Sequence, residues 1–454
     1  MPIVSLPAPG RGNGAPRSDP PPQQAGSTLA RRRRRPPHRW RTRAGVRRSS
    51  PPTLLADVGD PPELPQPAPT TRMNTTARER LRSVDLVRGI ACVLMAIDHV
   101  RVYSGIPAGG PTPGIFLTRW VTHFVAPAFA LLAGTAAWFL GRRLANGALR
   151  QFLVSRGLLL VLLELTVIRL LWASHWNPAE FTLAGVIWML GWCMVLLSAF
   201  VGLRTRTIAI TGLLLVGLQQ LLSVPPRVLP PAIASWWEFI YSAGGQPPLG
   251  INVLYVLVPW IGVMLCGYAL GSVLERPSPE RTRWLTRVGA GMTAAFLVLA
   301  TAQAVLGGSS GGESAAGQPP QWMRVLNQQK YPASQLFLLM TLGPAIWLLP
   351  WAERARGWFA DAMVTFGRVP MFYYLAHIAA IHAAALLVNQ VRLGDSHGEW
   401  FTTAPYTGIP PEGRWSLGLL YLVWLIVVAV VLYPACVWYA RLKASRPDSW
   451  LRFL

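Results

Sequence analysis

The chain has 454 residues, of which 52% are hydrophobic and only 13% charged, with 20 tryptophans and a formal net charge of +23. That balance excludes an ordinary soluble globular protein, in which charged residues make up roughly a quarter of the chain. Cys92, Cys193, Cys266 and Cys436 stand singly in four apolar segments, so neither a disulfide framework nor a zinc site is indicated.

The first 72 residues hold thirteen arginines against four acidic residues, including the run from Arg31 to Arg35. Rich in Pro, Arg and Gly and lacking apolar periodicity, residues 1–72 are predicted to be a disordered basic leader. A nucleic-acid arm would share this composition, but Trp40 is its one aromatic residue, and no nucleic-acid partner is expected. The arginine excess is consistent with biased codon usage, and Met73, followed by NTTARERLRSVD, reads as a natural start. No short apolar run follows the Arg cluster before residue 83, so no signal peptide is indicated.

The remainder, 73–454, is predicted to be one transmembrane domain, and the stretch RSVDLVRGIACVLMAIDHVR (82–101) organises it. Read as a helix, it places Arg88 and His99 eleven residues apart on one face, roughly 16 Å apart along the axis, with Asp85 near the same stripe. Ionisable groups facing hydrocarbon cost several kcal/mol each, so the stripe must face other helices or water. Ten spans follow, at roughly 83–104, 115–140, 151–172, 183–203, 207–224, 250–274, 286–307, 334–351, 361–388 and 416–440. Arginine concentrates in short alternate loops such as GRRLANGALR and ERPSPERTRWLTR, whereas the intervening loops are longer and rich in Trp, Pro and Gly. The positive-inside rule then predicts an all-α polytopic membrane protein with both termini cytoplasmic. The loop 223–250 carries Trp236, Trp237, Phe239 and Tyr241, which suit either an interfacial anchor or a sugar-stacking surface.

With that topology, Asp98, His99, Arg119, His123, Glu164 and His377 fall in the middle and outer leaflet. So many buried ionisable groups imply a polar interior cavity. His99, next to Asp98, is a candidate general base; its alternative is a histidine hydrogen-bonded for helix packing. His123 is a second catalytic or substrate-binding candidate, or else a structural partner of Asp98 or Glu164. Glu164 is also a catalytic candidate, with an ion pair to Arg169 as the alternative. Arg119, His377 and Tyr374 are candidate acceptor-binding residues. At the cytoplasmic end, Asp85 and Arg88 can pair across one turn. Arg88, with Arg142, Arg143, Arg150 and Arg156, can alternatively receive phosphate groups, for which the guanidinium fork is suited. Gly89, Gly134 and Gly141 allow close helix approach.

R-x(10)-H on a first membrane helix resembles the signature of the acyltransferase-three membrane family. The fuller wording, RSVDLVRGIACVLMAIDHVR followed by RWVTHFVAPAFALLAGTAAWFLGRR, is more similar to the bacterial heparan-alpha-glucosaminide N-acetyltransferase catalytic-domain family, with an echo in GRVPMFYYLAH at 367–377. The resemblance implies an acyltransferase of the inner (plasma) membrane that takes an acetyl group from acetyl-coenzyme A and uses no metal. Its acceptor would be an extracytoplasmic glycan or lipid-linked sugar, and a homodimer is a candidate assembly. In animal members of the family the catalytic histidine follows the first span; neither His99 nor His123 matches that position cleanly, so the base is open between them. The rival reading is a proton-coupled transporter or permease, since intramembrane Asp, Glu and His also form proton relays. A third, a non-enzymatic scaffold, leaves the buried charges without a role.

Overall fold

The computed structural model describes residues 75–110, 112–175, 177, 182–241, 248–306, 320–402 and 409–446. The chain divides into two units, Met1–Ala68 and Pro69–Leu454. Every described residue lies in the second, so the expectation for the leader falls outside them.

The described fold is all-α. In chain order its helices are α1 (Thr75–Tyr103), α2 (Pro113–Gly141), α3 (Asn146–Ala173), α4 (Val186–Phe200), α5 (Thr205–Gly217), α6 (Pro231–Ile240), α7 (Trp260–Leu274), α8 (Ser278–Leu306), α9 (Gln321–Leu326), α10 (Gln335–Arg354), α11 (Trp358–Arg368), α12 (Pro370–Leu393) and α13 (Leu417–Ser445). Six of these, α2, α3, α8, α10, α12 and α13, are long and apolar enough to cross a membrane. The chain is therefore a multi-pass membrane protein. α4, α5 and α7 are apolar but have only 15, 13 and 15 residues. At ~1.5 Å per residue each is shorter than a ~30 Å hydrocarbon core. α1 is less apolar than these because charged residues stand at both of its ends and at Asp85 and Arg88.

α1 is the hub. It packs on α2, α10, α11, α12 and α13, and Cys92, Ala96 and Val100 along it are completely buried. Its closest crossing is with α11. A Cβ on Gly89 would overlap the Met363 carbonyl, and one on Gly367 would overlap the Asp85 carbonyl. Two backbones thus lie against each other through reciprocal glycines, the device that membrane helices use in place of a hydrophobic driving force. Gly134 of α2 meets the Met264 carbonyl of α7 in the same way, whereas Gly141 meets side chains, those of Leu149 and Tyr268.

Two segments differ from the sequence expectation. The span read as one helix over 361–388 is two helices, α11 and α12. Val369 between them has φ −130° and ψ 48°, because Pro370 supplies no N–H and bars the α region to the residue before it. The second span is also irregular: Val121–Phe124 form a 3-10 turn inside α2, so Arg119 and His123 are not separated by one regular α-turn. The described sheet is minimal, Leu183–Ala184 pairing in parallel with Asn252–Val253.

Candidate active site

The break before Pro370 sets the rotation of α12, and that rotation brings His377 against α1. Nδ1 of His99 lies 2.6 Å from Nε2 of His377, with the two rings nearly coplanar, 18° apart, and their centroids separated by 4.8 Å. The other ring nitrogen of His377, Nδ1, lies 3.0 Å from the Tyr373 carbonyl. A carbonyl only accepts, so Nδ1 of His377 carries its hydrogen and Nε2 is the lone-pair nitrogen. His99 must then donate through Nδ1, which leaves the lone pair of a neutral His99 on Nε2. The pair is walled by aromatics. Trp172 of α3 meets the edge of His99 at 4.8 Å, and Tyr374 packs on His377 at 5.3 Å and on His99 at 6.4 Å. His377 is fully buried and His99 half-buried.

Tyr374 also lines a cavity of about 320 Å³ whose far end is cationic. Arg88, Arg156, Arg368 and Lys443 come from α1, α3, α11 and α13, and between them and Tyr374 the walls are apolar, including Met95, Phe129 and Leu190. Arg88 and Arg156 both lie close enough to Lys443 for their charges to act on it. Asp85 offsets part of this charge, pairing with Arg88 at 3.1 Å and lying 4.0 Å from Arg368. Arg88 also donates to the Gly367 carbonyl at 3.2 Å. Met95 lies one helical turn before His99, so the cavity runs from the cations to the foot of the histidine pair.

Residues 80–304 match the family described as heparan-alpha-glucosaminide N-acetyltransferase, catalytic. The chain belongs to this family. It follows that the protein is a membrane transferase of the acyltransferase kind. A comparison with curated proteins finds no match. The matched stretch contains Arg88, His99, His123 and Arg156, whereas Arg368, Tyr374, His377 and Lys443 lie beyond it. The matched segment therefore supplies most of the cavity wall, two of its four cations and one of the two histidines, and the later helices supply the rest.

The Asp98 carboxylate pairs with Arg101 at 3.0 Å, and Arg101 also donates to the Ile106 carbonyl. His123 is 2% exposed and packs on Phe337 at 5.4 Å, and among the described residues neither of its ring nitrogens has a hydrogen-bond partner. Arg119 is half-buried near it, and its charge acts on His123. Glu164 opens a π-turn in α3 and accepts from the N–H groups of Ile187 and Trp188 at 3.0 and 3.2 Å. It caps the N-terminus of α4, where a carboxylate meets both unpaired donors and the positive end of the helix dipole. Arg169 binds the His175 and Asn177 carbonyls rather than Glu164. Arg142 pairs with Glu275 at 3.2 Å, Arg143 is exposed, and Arg150 donates to the Val201 carbonyl; none of the three lines the cavity.

Sequence reasoning missed both lysines of the chain. Lys330 is 8% exposed, its ammonium 5.2 Å from the Tyr331 ring and 5.9 Å from the Tyr255 ring, and its charge reaches Asp98, His99 and His123. Lys443 lines the cavity. A usable signal existed: 40 of the 42 basic residues are arginine, so the two lysines stand out in an arginine-biased chain. The aromatic loop 223–250 is partly the helix α6, in which Trp237 donates to the Leu222 carbonyl while Trp236 stays exposed.

Proposed function

We propose that the protein transfers an acetyl group from acetyl-coenzyme A, bound in the cationic cavity, to an amine or hydroxyl acceptor that meets it at His99. One observation carries this reading: a cavity that begins at Arg88, Arg156, Arg368 and Lys443 and ends on Tyr374, against the His99–His377 pair. Its chemistry fits the donor. Several phosphate groups need several cations, an extended apolar arm needs apolar walls, and the ~16 Å between Arg88 and His99 along α1 suits the reach of a phosphopantetheine arm. Acetyl-coenzyme A would supply an activated acyl group.

The chain's own residues then hold and move protons. His99 Nε2 takes the proton of the amine or hydroxyl as it attacks the thioester carbonyl, and returns it to the thiolate that departs when the C–S bond breaks. His377, fixed in its tautomer by the Tyr373 carbonyl, accepts from His99 Nδ1 and orients the ring. Tyr374 and Trp172 exclude water from the pair. Asp98, Arg119, His123 and Lys330 face the acceptor side, with His123 a hydrogen-bonding group for the acceptor. The acceptor is an extracytoplasmic glycan or lipid-linked sugar, the cavity's cations face the cytoplasm, and the membrane is the plasma membrane.

Thermal-shift titration of the purified protein with acetyl-coenzyme A tests the donor. A saturable rise in melting temperature, lost when Arg88, Arg156 and Lys443 are replaced by alanine, supports the reading; no shift at millimolar ligand overturns it. A proton-coupled transporter would use the same histidine pair as a relay but has no need of the four cations.

A further inference from the structure

Apart from the histidine cavity, two helix pairs face one another across a gap. α5 packs on α7 through Gly212 and Gly262, and α8 packs on α10 through Gly289 and Gly343. Between the pairs lies a second cavity of about 720 Å³, more than twice the first. Its walls are almost entirely apolar, with Leu213 and Val216 on one side and Met292, Leu338, Leu342 and Ile346 on the other. From Thr205 to Val216 along α5 it runs eleven residues, about 16 Å, the depth of one hydrocarbon leaflet.

The two ends differ. At one, Gln335 donates to the Gly217 carbonyl at 3.2 Å and accepts from Gln220 at 3.1 Å, which ties α10 to the end of α5. At the other, Arg206 and Arg276 line the mouth. Arg276 is shared with Glu280 at 3.0 Å, while Arg206 makes no ion pair among the described residues. The connections at this end, 203–206 and 275–287, carry six arginines against two glutamates. An apolar slot one leaflet deep with a cationic mouth has the shape and charge of a lipid rather than of a polar metabolite.

We propose that this slot binds an anionic glycerophospholipid, its acyl chain between the two helix pairs and its phosphate at Arg206 and Arg276. The slot is separate from the histidine cavity, and the proposal does not depend on the acyltransferase reading. The same slot adjoins Phe337, which packs on His123, through Leu338 of α10, so an occupant braces the wall that carries that contact.

The test uses the full chain, purified and delipidated in detergent, and compares phosphatidylglycerol with phosphatidylcholine of identical chains by native mass spectrometry. Phosphatidylglycerol is expected to bind about tenfold more tightly or better. The double variant Arg206→Ala/Arg276→Ala should bring its affinity down to that of phosphatidylcholine without changing the melting temperature in detergent. Ala209→Trp, which fills the slot, should remove binding of both. So that the test does not depend on that variant folding, the wild-type protein is also cross-linked to phosphatidylglycerol bearing a photoreactive acyl chain. Labels in 205–216 and 335–346 support the site. Equal affinity for the two lipids, a preference that survives the arginine substitutions, or labels confined to other helices would overturn it.

Discussion

Nδ1 of His99 and Nε2 of His377 meet at 2.6 Å although 278 positions separate the residues in the chain. The contact joins the first helix of the domain to α12, and the Tyr373 carbonyl on the other side of His377 dictates which nitrogen carries each proton. The arrangement has the geometry that the proposed reaction needs of a base and its orienter, with a backbone carbonyl in the place where other enzymes use a carboxylate.

His99→Ala should lower acetyl transfer by about 10²–10⁴-fold, the usual contribution of a general base, and leave acetyl-coenzyme A affinity nearly unchanged. His377→Phe should lower kcat less, since His99 keeps its lone pair but loses its orienter. His123→Ala is the control. If His123→Ala is inactive while His99→Ala turns over, the base lies in α2 instead. Melting temperatures must be matched across the set, because buried histidines also hold helices together.

Arg88→Ala, Arg156→Ala and Lys443→Ala should each weaken acetyl-coenzyme A binding by roughly tenfold or more, since a hydrogen bond to a charged group contributes about 1.5–3 kcal/mol. Arg142→Ala and Arg143→Ala should change the dissociation constant little. The Arg142–Glu275 pair is largely exposed and lies outside the cavity. Isothermal titration on the five variants separates the cavity cations from arginines that only follow the positive-inside rule.

Glu164→Gln should retain turnover, because one amide oxygen can still accept from α4. Glu164→Ala should destabilise the fold by about 1–3 kcal/mol by leaving the Ile187 and Trp188 donors unpaired. Thermal unfolding together with transfer rates decides between a cap and a catalytic acid: loss of turnover in Glu164→Gln at an unchanged melting temperature would restore the catalytic reading.

Gly89→Ala and Gly367→Ala should each cost about 1–3 kcal/mol, as is typical of overpacking, because the added methyl meets backbone rather than a movable side chain. Either change should also weaken coenzyme A binding, since Arg88 and Arg368 flank this crossing. Gly147→Ala, where the space is open, should do neither.

A cysteine placed at Gly110 should react with an impermeant reagent in intact cells, whereas one at Asn146 should react only after lysis. This outcome fits ten spans with both termini inside. Labelling at 146 without labelling at 110 would invert the bundle.

Much was legible from the sequence because it concerns single segments. Apolar runs mark where helices form, and the eleven-residue spacing of Arg88 and His99 fixes their shared face through the helical period alone. The Asp85–Arg88 pair and the close approach at Gly89 are likewise local readings, and the structure contains both. What only the tertiary structure decided is how separate helices meet. That His99 faces His377 rather than Asp98, that Arg156, Arg368 and Lys443 join Arg88 while Arg142 and Arg143 do not, and that Glu164 serves the start of α4 all depend on depth and rotation between helices. Those are set by backbone crossings such as Gly89 on Met363 and by the turn before Pro370. Periodicity relates residues along one helix axis, but it carries no information about the angle at which a second axis is presented.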